Sequence, residues 1–156
     1  MKVIYPGSFD PPTLGHVAIV ARASSMFSEV VVVVANNPDK SYWLKEEERL
    51  EWMKASLAEF PNVRVVSHGG LVIDIVKELG AQAIVKGLRS EGDYRGEQTM
   101  AEANAILGHG LETLFLMSRG DHQSLSSSLV RQVHQLGGDV RPFVPKIVSD
   151  ELMNRE

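Results

Sequence analysis

The sequence predicts a doubly wound α/β sheet of five parallel strands, and three observations predict it. Short, β-branched apolar runs alternate with helical patterns along the whole chain. The run 30–35, VVVVVA, is apolar at every position, as suits a strand covered on both faces in a parallel sheet. Three of the helical patterns run into glycine, a natural helix stop. Strands alternating with helices imply right-handed βαβ units.

The elements follow in order. The first strand is read at 2–5 (KVIY), after which Thr13 is placed to cap a helix whose early turn holds Gly15 and His16. The second strand is 30–35. Residues 45–58 place Leu50, Met53 and Leu57 on one apolar helical stripe, and the charge run through 44–53 reads as a solvated helix face. Strand 63–66 (VRVV) precedes helix 71–79, which stops at Gly80, and strand 83–86 (AIVK) precedes helix 97–107, which stops at Gly108. Strand 113–117 (TLFLM) leads to helix 127–136, ended by Gly137-Gly138, and Pro145 opens a last helix over 145–154.

The totals narrow the function. A length of 156 residues fits a single domain, 1–156, able to bury roughly 70% of its unfolded surface. A net charge of −4 argues against a general nucleic-acid binder. With no cysteine, disulfides and thiolate metal sites are excluded, and a reducing cytoplasm is the expected setting. No apolar run approaches the ~20 residues of a membrane span, and the start MKVIYPG is too short for a secretory signal.

In doubly wound sheets ligands bind beyond the carboxyl ends of the strands, so the strand-to-helix turns come first. The first, YPGSFDPPTLGH, combines Gly7 for close backbone approach, the Ser8 hydroxyl, Pro11-Pro12, and His16 beside a helix N-terminus that attracts phosphate. The second carries Lys40 in a Pro-Asp-Lys-Ser loop; a lysine in a loop is ordinarily only solvated, but this one lies on the expected ligand edge. The third sets Lys86 and Arg89 around Gly87, which reads either as an anion site or as ion pairs with Glu91, Asp93 and Glu97. The fourth has Ser126, Ser127 and Ser128 at a helix start, more hydroxyls than one cap needs, while Arg131 nearby reads as a surface charge. The chain has no G-x-x-x-x-G-K-[ST], no G-x-G-x-x-G after the first strand and no H-x-x-x-H pair. A P-loop hydrolase, a dinucleotide oxidoreductase and a protein-held metal are therefore not expected. His68, His109 and His134 read as surface or structural.

Thr13-Leu14-Gly15-His16 resembles the T/H-x-G-H signature of the nucleotidylyltransferase superfamily. With YPG before it, KGLR at 86–89 and SLSSSLVR at 124–131, the chain resembles the bacterial phosphopantetheine adenylyltransferases from Lys2 to its last helix. That resemblance implies a Rossmann-like nucleotidylyltransferase fold and transfer of the AMP portion of ATP to 4′-phosphopantetheine, giving dephospho-coenzyme A and pyrophosphate. By matching position it implies His16, Lys40 and Arg89 as the catalytic set. ATP would meet Ser8, Phe9, His16, Gly87, Leu88, Arg89 and Glu97, together with His122, Gln123, Ser124, Leu125, Ser126, Ser127 and Ser128. Phosphopantetheine would meet Ser8, Lys40, Val72 and Lys86. The resemblance also implies Mg²⁺ carried by ATP, with no dedicated protein ligands, and a homohexamer.

The residues support such chemistry on their own terms. An acceptor that is already a phosphate anion needs no general base; positioning and preorganised positive charge suffice. Some positions depart from the family pattern: Lys86 stands where arginine is usual, Gly70 where aspartate is common, Tyr94-Arg95-Gly96-Glu97 replaces a Phe-Glu-Tyr-Glu run, and His122 replaces a larger aromatic. These changes bear on the acceptor. The rival readings are a sibling enzyme acting on nicotinamide mononucleotide or glycerol phosphate, and a non-catalytic nucleotide-binding sensor.

Overall fold

The computed structural model describes residues 1–155; the last position of the expected domain span, 156, lies outside the described residues. Five strands, β1 (Lys2–Gly7), β2 (Glu29–Ala35), β3 (Val63–His68), β4 (Ala83–Leu88) and β5 (Glu112–Met117), form one sheet. Every pairing is parallel and the order is β3-β2-β1-β4-β5. The helices are α1 (Leu14–Met26), α2 (Glu46–Ser56), α3 (Val72–Leu79), α4 (Glu91–Leu107), α5 (Ser127–Gln135) and α6 (Lys146–Met153). A 3-10 turn, Gly120–His122, precedes α5.

The sheet is covered on both faces, and the two-residue period of its strands divides the core. Val3, Tyr5, Val30, Val32, Val34, Ala83 and Val85 pack with Ile19, Val20 and Ala23 of α1 and Met53 of α2. The alternating residues Ile4, Val31, Val33 and Ile84 pack with Ile75 and Val76 of α3. This is why the run in β2 has no polar position: its five valines are buried to 2% exposure or less. A third cluster, Leu44, Trp52, Val130, Val140, Val144, Val148 and Leu152, attaches α5 and α6 to α2. The chain winds β1 to β3 in one direction and β4 to β5 in the other, so β1 and β4 flank the switch point where such sheets open a crevice.

Two expectations are corrected. The fourth helix starts at Glu91, not at residue 97, because the Ser90 hydroxyl caps it by accepting from the Asp93 amide, and Gly92 and Gly96 are carried inside. The charge run around α2 is not uniformly solvated: Arg49 is fully buried. It lies four residues before Met53 and three before Trp52, on the apolar side of the helix. Helix α3 ends as read, with Gly80 left-handed at φ 65°.

Candidate active site

The carboxyl ends of β1 and β4 open into a cleft of about 630 Å³ between the N-termini of α1 and α5. Ser8, Phe9, His16, Lys40, Lys86, Gly87, Arg89, Glu97, His122, Leu125, Ser126, Ser127 and Ser128 all line it, so most of the sequence-derived set converges here. A second cleft of about 420 Å³ adjoins it and shares Ser8, Lys40, Lys86 and Glu97, continuing along Val72, Met100 and Asn104. The four residues matched to phosphopantetheine, Ser8, Lys40, Val72 and Lys86, all line this second cleft. Leu88, Gln123 and Ser124 line neither: Leu88 is buried in β4, and the other two are exposed on the approach to α5.

His16 takes its orientation from its own helix cap. The Thr13 hydroxyl accepts from the His16 amide at 3.3 Å, and Nδ1 of the ring accepts in return from the Thr13 amide at 3.0 Å. An Nδ1 that accepts a backbone N–H carries no proton, so the neutral ring carries it on Nε2. Burial lowers the imidazole from its usual 6.5 to about 4, with the positive charges of Arg89 and then Lys86 acting in the same direction. Near neutrality His16 is an uncharged donor on the wall of the cleft. Phe9 packs edge-on against it with ring centroids 4.9 Å apart.

The first turn is held from behind. Arg49 Nη1 donates to the Ser8 carbonyl at 2.8 Å, Arg131 Nη1 to the Asp10 carbonyl at 2.6 Å, and Ser127 Oγ to the Pro11 carbonyl at 2.7 Å. Arg131 is therefore a tether and not a free surface charge. Of the three serines, Ser126 caps α5 by accepting from the Leu129 amide, Ser127 ties α5 to the first turn, and Ser128 lies 3.1 Å from the Ser126 hydroxyl. The buried Asp10 carboxylate accepts from the amides of Trp43 and Leu44 at 2.7 and 2.8 Å, which attaches the Lys40 loop to the same turn.

The cations are preorganised. Lys40 Nζ donates to Ser8 Oγ at 2.9 Å. Lys86 Nζ lies 3.3 Å from both Glu97 Oε1 and the Pro6 carbonyl. Arg89 makes contact with both Asp93 carboxylate oxygens and donates to the Leu125 carbonyl. Of the ion pairs expected in the third turn, Lys86–Glu97 and Arg89–Asp93 form beside the cleft, whereas Glu91 pairs with the exposed Arg95. Arg49, Asp10 and Arg131 hold the first turn and the Lys40 loop in place, roles that the sequence reading does not assign to them. The signal that marks Arg49 is its helical phase, three residues before Trp52 and four before Met53.

Two helix N-termini, an uncharged imidazole donor and the cations Lys40, Lys86, Arg89 and Arg131 surround one cleft, to which a second compartment is attached. The cytidylyltransferase-like family model matches residues 4–133. A phosphopantetheine adenylyltransferase of Nocardioides sp. is 46% identical over 99% of this chain and 96% of its own length. The chain belongs to the phosphopantetheine adenylyltransferase family. Other phosphopantetheine adenylyltransferases are similarly related. The one from Treponema pallidum (strain Nichols) is 43% identical over 99% of this chain and 98% of its own, and that from Synechococcus sp. is 42% identical over 97% and 92%. Among solved structures, a Vibrio parahaemolyticus protein assigned as a nicotinate-nucleotide adenylyltransferase superposes with a TM-score of 0.74. It covers 98% of this chain and 91% of its own at 18% identity, and it shares the fold.

Proposed function

We propose that this chain transfers the adenylyl group of ATP to the phosphate of 4′-phosphopantetheine, releasing pyrophosphate and forming dephospho-coenzyme A. One observation carries the reading: the two clefts meet at the Lys40–Ser8 hydrogen bond, so a nucleotide in the first and an acceptor in the second would bring their phosphates together there. An acceptor phosphate oxygen attacks the α-phosphorus, and the bond to the bridging oxygen of the leaving pyrophosphate breaks. The acceptor is already ionised, so no base is needed. His16 donates from Nε2 to an α-phosphate oxygen, while Lys40, Lys86 and Arg89 offset the charge that accumulates as two anions approach.

Mg²⁺ is proposed to arrive on the triphosphate. The carboxylates around the first cleft are otherwise engaged: Asp10 by backbone amides, Asp93 by Arg89 and Glu97 by Lys86. Among the described residues no cluster of three potential ligands could hold a metal. When bound, the ion would offset charge on the leaving pyrophosphate. We further propose a single nucleotidylyltransferase domain acting in the cytoplasm as a homohexamer. No helix among the described residues is long and apolar enough to cross a membrane. The exposed Met100, Ile106 and Leu107 of α4 offer apolar surface for contact between copies.

The test is pyrophosphate release from Mg-ATP with phosphopantetheine, run beside nicotinamide mononucleotide and glycerol 3-phosphate. Release with phosphopantetheine alone is expected. Release only with another acceptor replaces the substrate, and ATP binding without release from any of them moves the chain to the sensor class.

A further inference from the structure

Arg49 is a fully buried cation with no carboxylate of its own. Its guanidinium donates to the carbonyls of Ser8 and Ala35, each at 2.8 Å, and to the Asn36 side-chain oxygen at 3.2 Å. Among the described residues neither Arg49 nor Lys40 forms a salt bridge. Glu46 reaches Arg49 only through the Asn36 amide, which it accepts at 2.6 Å. A buried charge is costly without partners, and here the three oxygen acceptors compensate it, with an aromatic face added. The guanidinium carbon lies 3.9 Å from the centroid of the Tyr42 ring, and Lys40 Nζ lies 5.5 Å from the centroid of that same ring. Both cations also end on Ser8, Arg49 on its carbonyl and Lys40 on its hydroxyl. The Tyr42 hydroxyl also accepts from the exposed Asn37 amide at 2.9 Å, a bond that water can replace, so the ring is what bears on Lys40.

We propose that Tyr42, seated on buried Arg49, is a positioning residue that holds the Lys40 ammonium on Ser8 at the junction of the two clefts. Tyr42 lines neither cleft, so it acts through Lys40. A lysine on a four-carbon stem has many rotamers, and a ring beneath its head removes most of them before an anion arrives. Two unpaired cations meeting on one serine also set a local positive field that awaits phosphate. The inference rests on the adenylyl-transfer reading for its turnover measurements, but not for its binding measurements.

The experiment is a double-mutant cycle of Tyr42→Leu and Lys40→Ala in the full chain. It is read by kcat/KM with phosphopantetheine and, separately, by calorimetric titration with inorganic pyrophosphate. Tyr42→Leu alone is expected to lower both the catalytic efficiency and the pyrophosphate affinity by roughly tenfold. In the Lys40→Ala background the same substitution is expected to change either by less than about twofold. Tyr42→Phe keeps the ring and should restore the wild-type values to within about twofold, with a circular dichroism spectrum like that of the parent. Additive losses in the cycle, or a Phe variant as impaired as the Leu variant, would overturn the proposal. If the wild-type chain turns over no phosphopantetheine, the function reading fails alone, and the pyrophosphate cycle still decides the role of Tyr42.

Discussion

The Thr13 amide donates to Nδ1 of His16 at 3.0 Å, so the cap of α1 also selects the tautomer of the residue nearest the expected chemistry. Helix start and active site are thus one hydrogen-bonded unit. Because the ring is neutral, His16 contributes a directed hydrogen bond and not a charge, and such a bond is worth most where negative charge develops. His16→Ala is expected to lower kcat by roughly tenfold or more while ATP affinity stays within a few-fold. Steady-state kinetics beside nucleotide titration check this, and matched losses in both would assign His16 to ground-state binding.

The depressed imidazole also makes a prediction about stability. Folded His16 titrates at about 4 against an ordinary 6.5. Between those values the unfolded chain binds a proton that the folded chain does not, so stability rises with pH across this window. On acidification from neutrality, wild type should lose stability through that range at this site, with no further loss once the folded ring is itself protonated. His16→Asn has no group here that takes up a proton in this range. Urea midpoints at pH 7 and pH 5 should therefore fall further for wild type than for the variant, and equal falls would mean that the folded ring titrates normally.

What was legible in the sequence depended on whether a residue's partner lay close along the chain. The βαβ order and the buried strand β2 could be read because periodicity is local. His16 and its Thr13 cap could be read for the same reason, three residues apart. Arg49 was misjudged because its acceptors come from the ends of β1 and β2, and nothing local distinguishes it from Glu46, Glu47 and Glu48 before it except its helical phase. Arg131 finds its acceptor 121 residues away. The early start of α4 was hidden by Gly92 and Gly96, which weaken helix propensity but face no steric neighbour closer than 3.7 Å.

Asp10 supplies a third prediction. Its carboxylate, 6% exposed, accepts from two consecutive amides, Trp43 and Leu44, and so fastens the Lys40 loop to the first turn. In Asp10→Asn only one of these amides keeps an oxygen, and the other faces an NH₂ donor. Leaving a buried amide unmet costs about 1–3 kcal/mol. Urea denaturation should show that loss, and kcat/KM for the acceptor should fall with it because the loop carries Lys40. A variant that loses stability with unchanged acceptor kinetics would show that Lys40 does not depend on this anchor.

Gly7 links packing to chemistry. A Cβ built on it would lie 2.8 Å from Cζ of Phe9, closer than carbon atoms approach without movement. Phe9 has little room to give: it is 2% exposed, sits at φ 48°, and packs edge-on against both Tyr5 and His16 with centroids 5.4 and 4.9 Å away. A displaced Phe9 ring passes its shift to the imidazole. Gly7→Ala is therefore expected to destabilise the chain by about 1–3 kcal/mol, as overpacking does, and to lower kcat by roughly tenfold through His16. Combining it with Phe9→Leu shortens the obstructing side chain at the point of contact. Recovery of part of the lost kcat in the double variant is the expected result, read by pyrophosphate release at saturating substrates. If Phe9→Leu instead adds its own loss to that of Gly7→Ala, the glycine is needed for what approaches the backbone and not for the ring above it.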